Sequence, residues 1–153
     1  MTKKKSNQIT LGDKVTLDGV GLHTGKNVRL TFRPAPVDTG YVFIRTDLKP
    51  VVEIPADIIY VTNTDRGTNL EKDGAKIQTS EHVLAALVGM GIDNCFIELD
   101  SAESPIMDGS SKFFVEAIES VGIREQDKLR EEFIVTDLIS VSYTHLTLPT
   151  IEC

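Results

Sequence analysis

The 153-residue sequence predicts an α+β fold, a two-layer sandwich in which a mixed or largely antiparallel sheet packs on two helices. Three observations predict it. The first two-thirds consists of short alternating or β-branched segments divided by glycine, proline and aspartate. At Ser80 the apolar period changes to that of a helix. One more strand-like segment then separates that helix from a second.

Taken in order, Ile9–Leu17 (ITLGDKVTL) alternates apolar and polar residues over part of its length. Asn27–Pro34 alternates cleanly through Val28, Leu30 and Phe32. Between them Asp18–Lys26 (DGVGLHTGK) has the glycines of a hairpin or bulged connection. Tyr41–Thr46 follows the turn signal PAPVDTG. Val51–Thr62 is β-branched, and Pro55 divides it, because proline cannot donate to an interior ladder. Arg66–Gln78 reads as a short hairpin about Asp73-Gly74. From Ser80, residues Val83, Leu84, Leu87 and Val88 form an apolar stripe. Thr79 or Ser80 is the expected N-cap, and Gly89 and Gly91 are stop signals. Asn94–Asp100 is a buried strand and Ser101–Ser111 a loop. Lys112–Gly122 is a second amphipathic helix, with Phe113, Phe114, Ala117, Ile118 and Val121 expected inward. Glu131–Ser140 begins a further strand.

The domain spans residues 1–140. Residues 141–153 (VSYTHLTLPTIEC) carry no charge until Glu152 and resemble the translated adapter DNA found in fragmentary gene predictions. They are read as a non-native tail, so His145 and Cys153 carry no functional weight. A genuine last strand is the alternative.

A net charge of −7 argues against a general nucleic-acid binder, which needs a basic surface. Lys3-Lys4-Lys5 is not followed by the apolar run of a secretory signal. No apolar run approaches the roughly 18 residues that span a bilayer. Cys95 and Cys153 form no disulfide framework, and a reducing cytoplasmic setting is the simplest expectation.

Three segments could carry chemistry. Glu81-His82 opens the first helix. Neighbours on a helix point about 100° apart. If His82 binds a metal, Glu81 can sit beside it and reach the activated water without being a ligand. The pair could equally be ordinary solvated first-turn residues. Catalytic zinc takes three protein ligands, and no His-Glu-x-x-His motif is present, since Ala86 follows His82 by four. A site complete within the chain would have to recruit residues such as His23 and Asp108. The second segment, Gly19–Gly25 (GVGLHTG), places His23 either at the mouth of a site or on an exposed turn. In the third, Ser104–Ser111 (SPIMDGSS), Asp108 either caps a turn into the second helix or orients Glu81 or His82.

Together GVGLHTG, TSEHVLAAL, GIDN and SPIMDGSS, with IPAD and DRGT, resemble in order and spacing the UDP-3-O-acyl-N-acetylglucosamine deacetylase family over about Gln8–Ser140. The resemblance implies a cytoplasmic zinc amidohydrolase that removes the N-acetyl group of UDP-3-O-acyl-N-acetylglucosamine in lipid A synthesis of Gram-negative bacteria. It implies two similar domains with the active site between them. In this chain it makes His82 a zinc ligand, Glu81 the general base, Asp108 a supporting residue and His23 a residue at the site mouth. The remaining zinc ligands and the acyl-chain and UDP contacts are implied for a second domain in cis, which this chain lacks. Gly67 stands where some relatives carry a cysteine near the zinc. The expected chain is therefore half an enzyme, inactive alone. The alternatives are a non-catalytic binding domain of the same fold, or part of a deacetylase fused to an acyl-carrier-protein dehydratase.

Overall fold

The computed structural model describes residues 6–64, 67–131, 140 and 142. Among them the elements run β1 (Asn7–Leu11), β2 (Val15–Val20), β3 (Asn27–Pro34), β4 (Tyr41–Arg45), β5 (Val52–Pro55), β6 (Val61–Asn63), β7 (Asn69–Lys72), β8 (Ala75–Ile77), α1 (Glu81–Gly89), β9 (Cys95–Leu99), α2 (Lys112–Val121) and β10 (Ile123–Leu129). A 3-10 turn at Ile58–Tyr60 separates β5 from β6. The α+β reading holds, and so does the mixed sheet.

Its centre is a five-stranded sheet ordered β2-β3-β9-β4-β5. Only β4 and β9 are parallel, Tyr41 facing Cys95 and Arg45 facing Leu99. The other pairs are antiparallel. The parallel pair needs a crossover, and β5 to β8 with α1 supply it. Strand β3 sends Val28, Leu30 and Phe32 inward, as its alternation requires. They meet Phe43, Ile54, Ile97 and Leu99 from the sheet, Val83, Ala86 and Leu87 from α1, and Phe114 and Ile118 from α2. Phe32 and Phe114 join sheet to helix edge-to-face, ring centroids 6.3 Å apart. Full burial of each large side chain contributes about 1.5–3 kcal/mol.

The structure corrects several expectations. Ile9–Leu17 is not one strand. It breaks after Leu11, and its halves join different sheets, β1 with β10 and β2 with β3. The cause lies at Gly12, whose N–H donates to Gly122 O at 2.9 Å. A Cβ there would lie 2.4 Å from Val121 O, so only glycine lets the backbones meet. Val88 and Phe113 are 64% and 40% exposed. The nine-residue α1 buries only Val83, Ala86 and Leu87, and α2 buries Phe114 and Ile118. Each helix therefore presents a narrower stripe than its composition suggests. Strand β10 begins at Ile123, earlier than expected, and its charged sequence IREQDKL hides it from a hydrophobic pattern. Most of the strand expected over Glu131–Ser140, the residue Arg66, His145 and Cys153 lie outside the described residues. The hairpin about Asp73-Gly74 is present as β7 and β8, and Pro55 ends β5.

Candidate functional site

The segments that carry His23, Glu81-His82 and Asp108 converge because a five-residue stretch of backbone stitches them together. Gln78 N–H donates to Ala102 O at 2.8 Å, and Ser104 N–H returns to Gln78 O at 3.0 Å. Ile106 N–H donates to Val20 O at 3.0 Å. Residues 102–106 thus run between the chain entering α1 and the end of β2. Bridges at Gln78↔Glu103 and Gly21↔Pro105 mark the two seams.

Glu103 lies within this splice and is fully buried. Its Oε1 accepts the His23 N–H at 2.9 Å and the Thr79 hydroxyl at 3.2 Å. Its Oε2 accepts the Thr24 N–H at 2.8 Å and the Thr24 hydroxyl at 2.7 Å. Burial pushes its pKa up, but the donors from His23, Thr24 and Thr79 outweigh burial and hold it below the ordinary carboxylate range. Gly21 packs on the same carboxylate.

Glu81 and His82 occupy the first turn of α1, both half-buried. Their position is fixed from the preceding loop. Ser80, at the N-cap, does not cap with its side chain. Its hydroxyl instead donates to Thr68 O at 2.9 Å, correcting the expected cap. Thr68 N–H in turn donates to Glu81 Oε2 at 2.9 Å. Gly67 has φ +149° and lies against the other oxygen, where a Cβ would approach Glu81 Oε1 to 3.1 Å. One carboxylate oxygen is therefore held, and the other faces a residue without a side chain. On the far side the Ser111 hydroxyl donates to His82 O at 3.0 Å, anchoring the start of α2 to the same turn.

Asp108 is exposed. Its Oδ1 accepts the Ser110 N–H at 2.9 Å and the Ser110 hydroxyl at 2.7 Å. These bonds, the Ser110 hydroxyl first, lower its pKa. It is the turn former of the sequence analysis, and among the described residues no hydrogen bond joins it to Glu81 or His82. It borders an apolar recess of about 400 Å³ lined by Val20, Ile106, Met107 and Phe113. His23 is exposed on its turn, tied to the site through its backbone N–H. The structure thus joins the segments of His23, Glu81, His82 and Asp108 around one carboxylate that the sequence analysis did not single out. The signal for Glu103 was slight: one acid among the small residues of SAESP.

Among the described residues no three of histidine, cysteine, aspartate and glutamate cluster as a metal site. His82 offers one imidazole with Glu81 beside it. No helix among these residues is long and apolar enough to cross a membrane.

A family model described as UDP-3-O-acyl N-acetylglycosamine deacetylase matches residues 8–150. The chain is 54% identical over 136 residues to the UDP-3-O-acyl-N-acetylglucosamine deacetylase of Hahella chejuensis, covering 85% of this chain and 45% of that protein. It is 53% identical over 134 residues to the protein of the same name from Xanthomonas axonopodis pv. citri, covering 88% and 44%. A bifunctional enzyme LpxC/FabZ of Chlorobaculum tepidum is 49% identical over 132 residues, covering 86% of the chain and 28% of that protein. The chain spans less than half the length of these relatives.

Proposed function

Because the chain belongs to the UDP-3-O-acyl N-acetylglycosamine deacetylase family, we propose that it supplies the Glu81-His82 half of a zinc-dependent site that hydrolyses an N-acetyl amide. The substrate is UDP-3-O-acyl-N-acetylglucosamine, the relatives' namesake, and the setting is lipid A synthesis in the cytoplasm of a Gram-negative bacterium. The observation that carries this reading is the fixed pair at the start of α1: a half-buried imidazole beside a carboxylate with one oxygen held by Thr68 N–H at 2.9 Å.

The described residues do not complete a metal site. Catalytic zinc takes three protein ligands, and His82 is one. The others belong to a second domain in cis, in keeping with the 45% share of the Hahella relative that the chain covers. Zinc supplies Lewis acidity when it is bound. The chain's own contribution is a base. Thr68 N–H holds one oxygen of Glu81 and so orients the other to take a proton from water. The recess of Val20, Ile106, Met107 and Phe113 offers apolar wall beside Asp108. In this reading Asp108 is a supporting residue and His23 stands at the mouth of the site.

The test is zinc content and deacetylation of the purified chain. We expect zinc well below one per chain and little or no turnover. Stoichiometric zinc with turnover would overturn the half-site. In the complete deacetylase, Glu81→Ala abolishes turnover and keeps substrate binding, whereas a non-catalytic binding domain would lose nothing. A second reading, a piece of a deacetylase–dehydratase fusion, is favoured by the bifunctional Chlorobaculum relative. Genomic sequence beyond the Ser140 codon tests it, and tests with it the foreign origin of residues 141–153.

A further inference from the structure

We propose that Glu103 is a positioning residue, which locks the turn carrying His23 to the chain entering α1 and so fixes the orientation of Glu81 and His82. The proposal rests on the reading of those two residues as the reactive pair.

Three observations support it. The first is the pattern of donors. Each oxygen of Glu103 accepts one backbone N–H, His23 at Oε1 and Thr24 at Oε2. A backbone N–H cannot reverse its polarity. An amide in this place would therefore set its NH2 against a donor in either orientation, so the site requires a carboxylate. The second is burial. A fully buried acid is costly unless its hydrogen bonds are satisfied, and here four donors from three residues surround it. The third is Thr79, two residues before Glu81. Its φ is +56°, a left-handed conformation costly for a β-branched residue. The bend delivers its hydroxyl to Glu103 Oε1 at 3.2 Å. The strained residue thus stands between the buried acid and the reactive turn.

The test uses the 153-residue chain, without metal or substrate. Amide hydrogen exchange and the histidine ring resonances are recorded for the parent, Glu103→Gln, Thr79→Val and Thr79→Ser. In Glu103→Gln we expect exchange at His23 and Thr24 to quicken roughly tenfold or more, with the His82 ring resonances displaced. Exchange at core amides such as Phe43 and Ile97 stays unchanged. Thr79→Val displaces the His82 resonances, and Thr79→Ser, which keeps the hydroxyl, restores them. Uniform quickening of turn and core would overturn the proposal by showing general stabilisation only. A released turn with unmoved His82 resonances would also overturn it. Should Glu103→Gln not fold, Thr24→Ala removes one of the four bonds at an exposed position and gives the same readouts on a smaller scale. Failure of the reading of Glu81 and His82 as the reactive pair would appear instead as unchanged turnover of Glu81→Ala in the complete deacetylase, leaving these results intact.

Discussion

Replacing Gly21 by alanine tests the splice directly. Gly21 follows β2 and is buried. Its N–H donates to Lys26 O at 2.9 Å, and its carbonyl accepts the Gly25 N–H at 3.0 Å, so the turn holds its backbone in place. A Cβ would lie 2.4 Å from Glu103 Oε2 and 2.5 Å from Thr24 Oγ1, inside the 3.0 Å that real Cβ atoms essentially never breach. The carboxylate cannot swing away cheaply, because Oε2 holds both Thr24 bonds. Losing one bond to a charged group costs about 1.5–3 kcal/mol, and forcing a methyl into a packed site about 1–3 kcal/mol. Partial relaxation makes these overlap, so we expect a loss of about 2–4 kcal/mol. With a urea m value of about 2 kcal/mol/M, the denaturation midpoint should fall by roughly 1–2 M. Gly89→Ala is the control, since its Cβ meets nothing within 4 Å. It should be neutral, or stabilising by up to about 1 kcal/mol through helix propensity. A Gly21→Ala midpoint equal to that of the parent would refute the reasoning.

Phe114→Ala removes a fully buried ring and should cost about 3–5 kcal/mol by the same measurement. Burial pushes the Cys95 thiol pKa up to about 12, so at pH 8 iodoacetamide should modify Cys95 only in urea, as peptide mass spectrometry would detect. Glu103 gives a signed pH dependence. Its folded pKa is depressed, so its contribution is complete above the unfolded value of about 4.3 and is lost as pH falls through the lower folded value. The stability gap between the parent and Glu103→Gln should therefore be widest near neutrality and close in acid, as urea melts across pH would record. A gap that widens in acid would contradict the assigned direction.

Much of the layer architecture could be read from the sequence, because strands such as Asn27–Pro34 alternate against one solvent-free face. Where the pattern failed, a backbone contact or a charged edge was responsible. Gly12 divided what looked continuous, since its role is close approach to Val121 O and not a hydrophobic preference. Strand β10 is held by pairing with β1, which composition does not record. Phe113 carries an apolar side chain on the open side of α2. In the site, Glu81 and His82 stood out as chemically capable residues side by side. Glu103 did not, because its importance comes from donors about 80 residues away in sequence, at His23 and Thr24. For Asp108 the sequence offered two readings, and the local one holds in its own turn, through Ser110.

The pairing of β1 with β10 also sets an order of assembly. Leu11 is fully buried, and Leu11 pairs with Ile123 while Asn7 pairs with Leu129. A chain emerging from the ribosome could close the β2–β3 hairpin early, since its partners are near in sequence. Strand β1 can meet Asp93 and Asn94, whose N–H groups donate to Ile9 O at 2.7 and 3.1 Å, before its ladder partner β10 is made, near the end of the described residues. During that interval a strand without its ladder partner is at risk of pairing with a neighbour. The polar, charged strand that finally captures it is poorly suited to aggregate on its own account. Synthesis halted before residue 123 would leave β1 without this partner, so nascent chains of that length should be the ones most prone to misassembly.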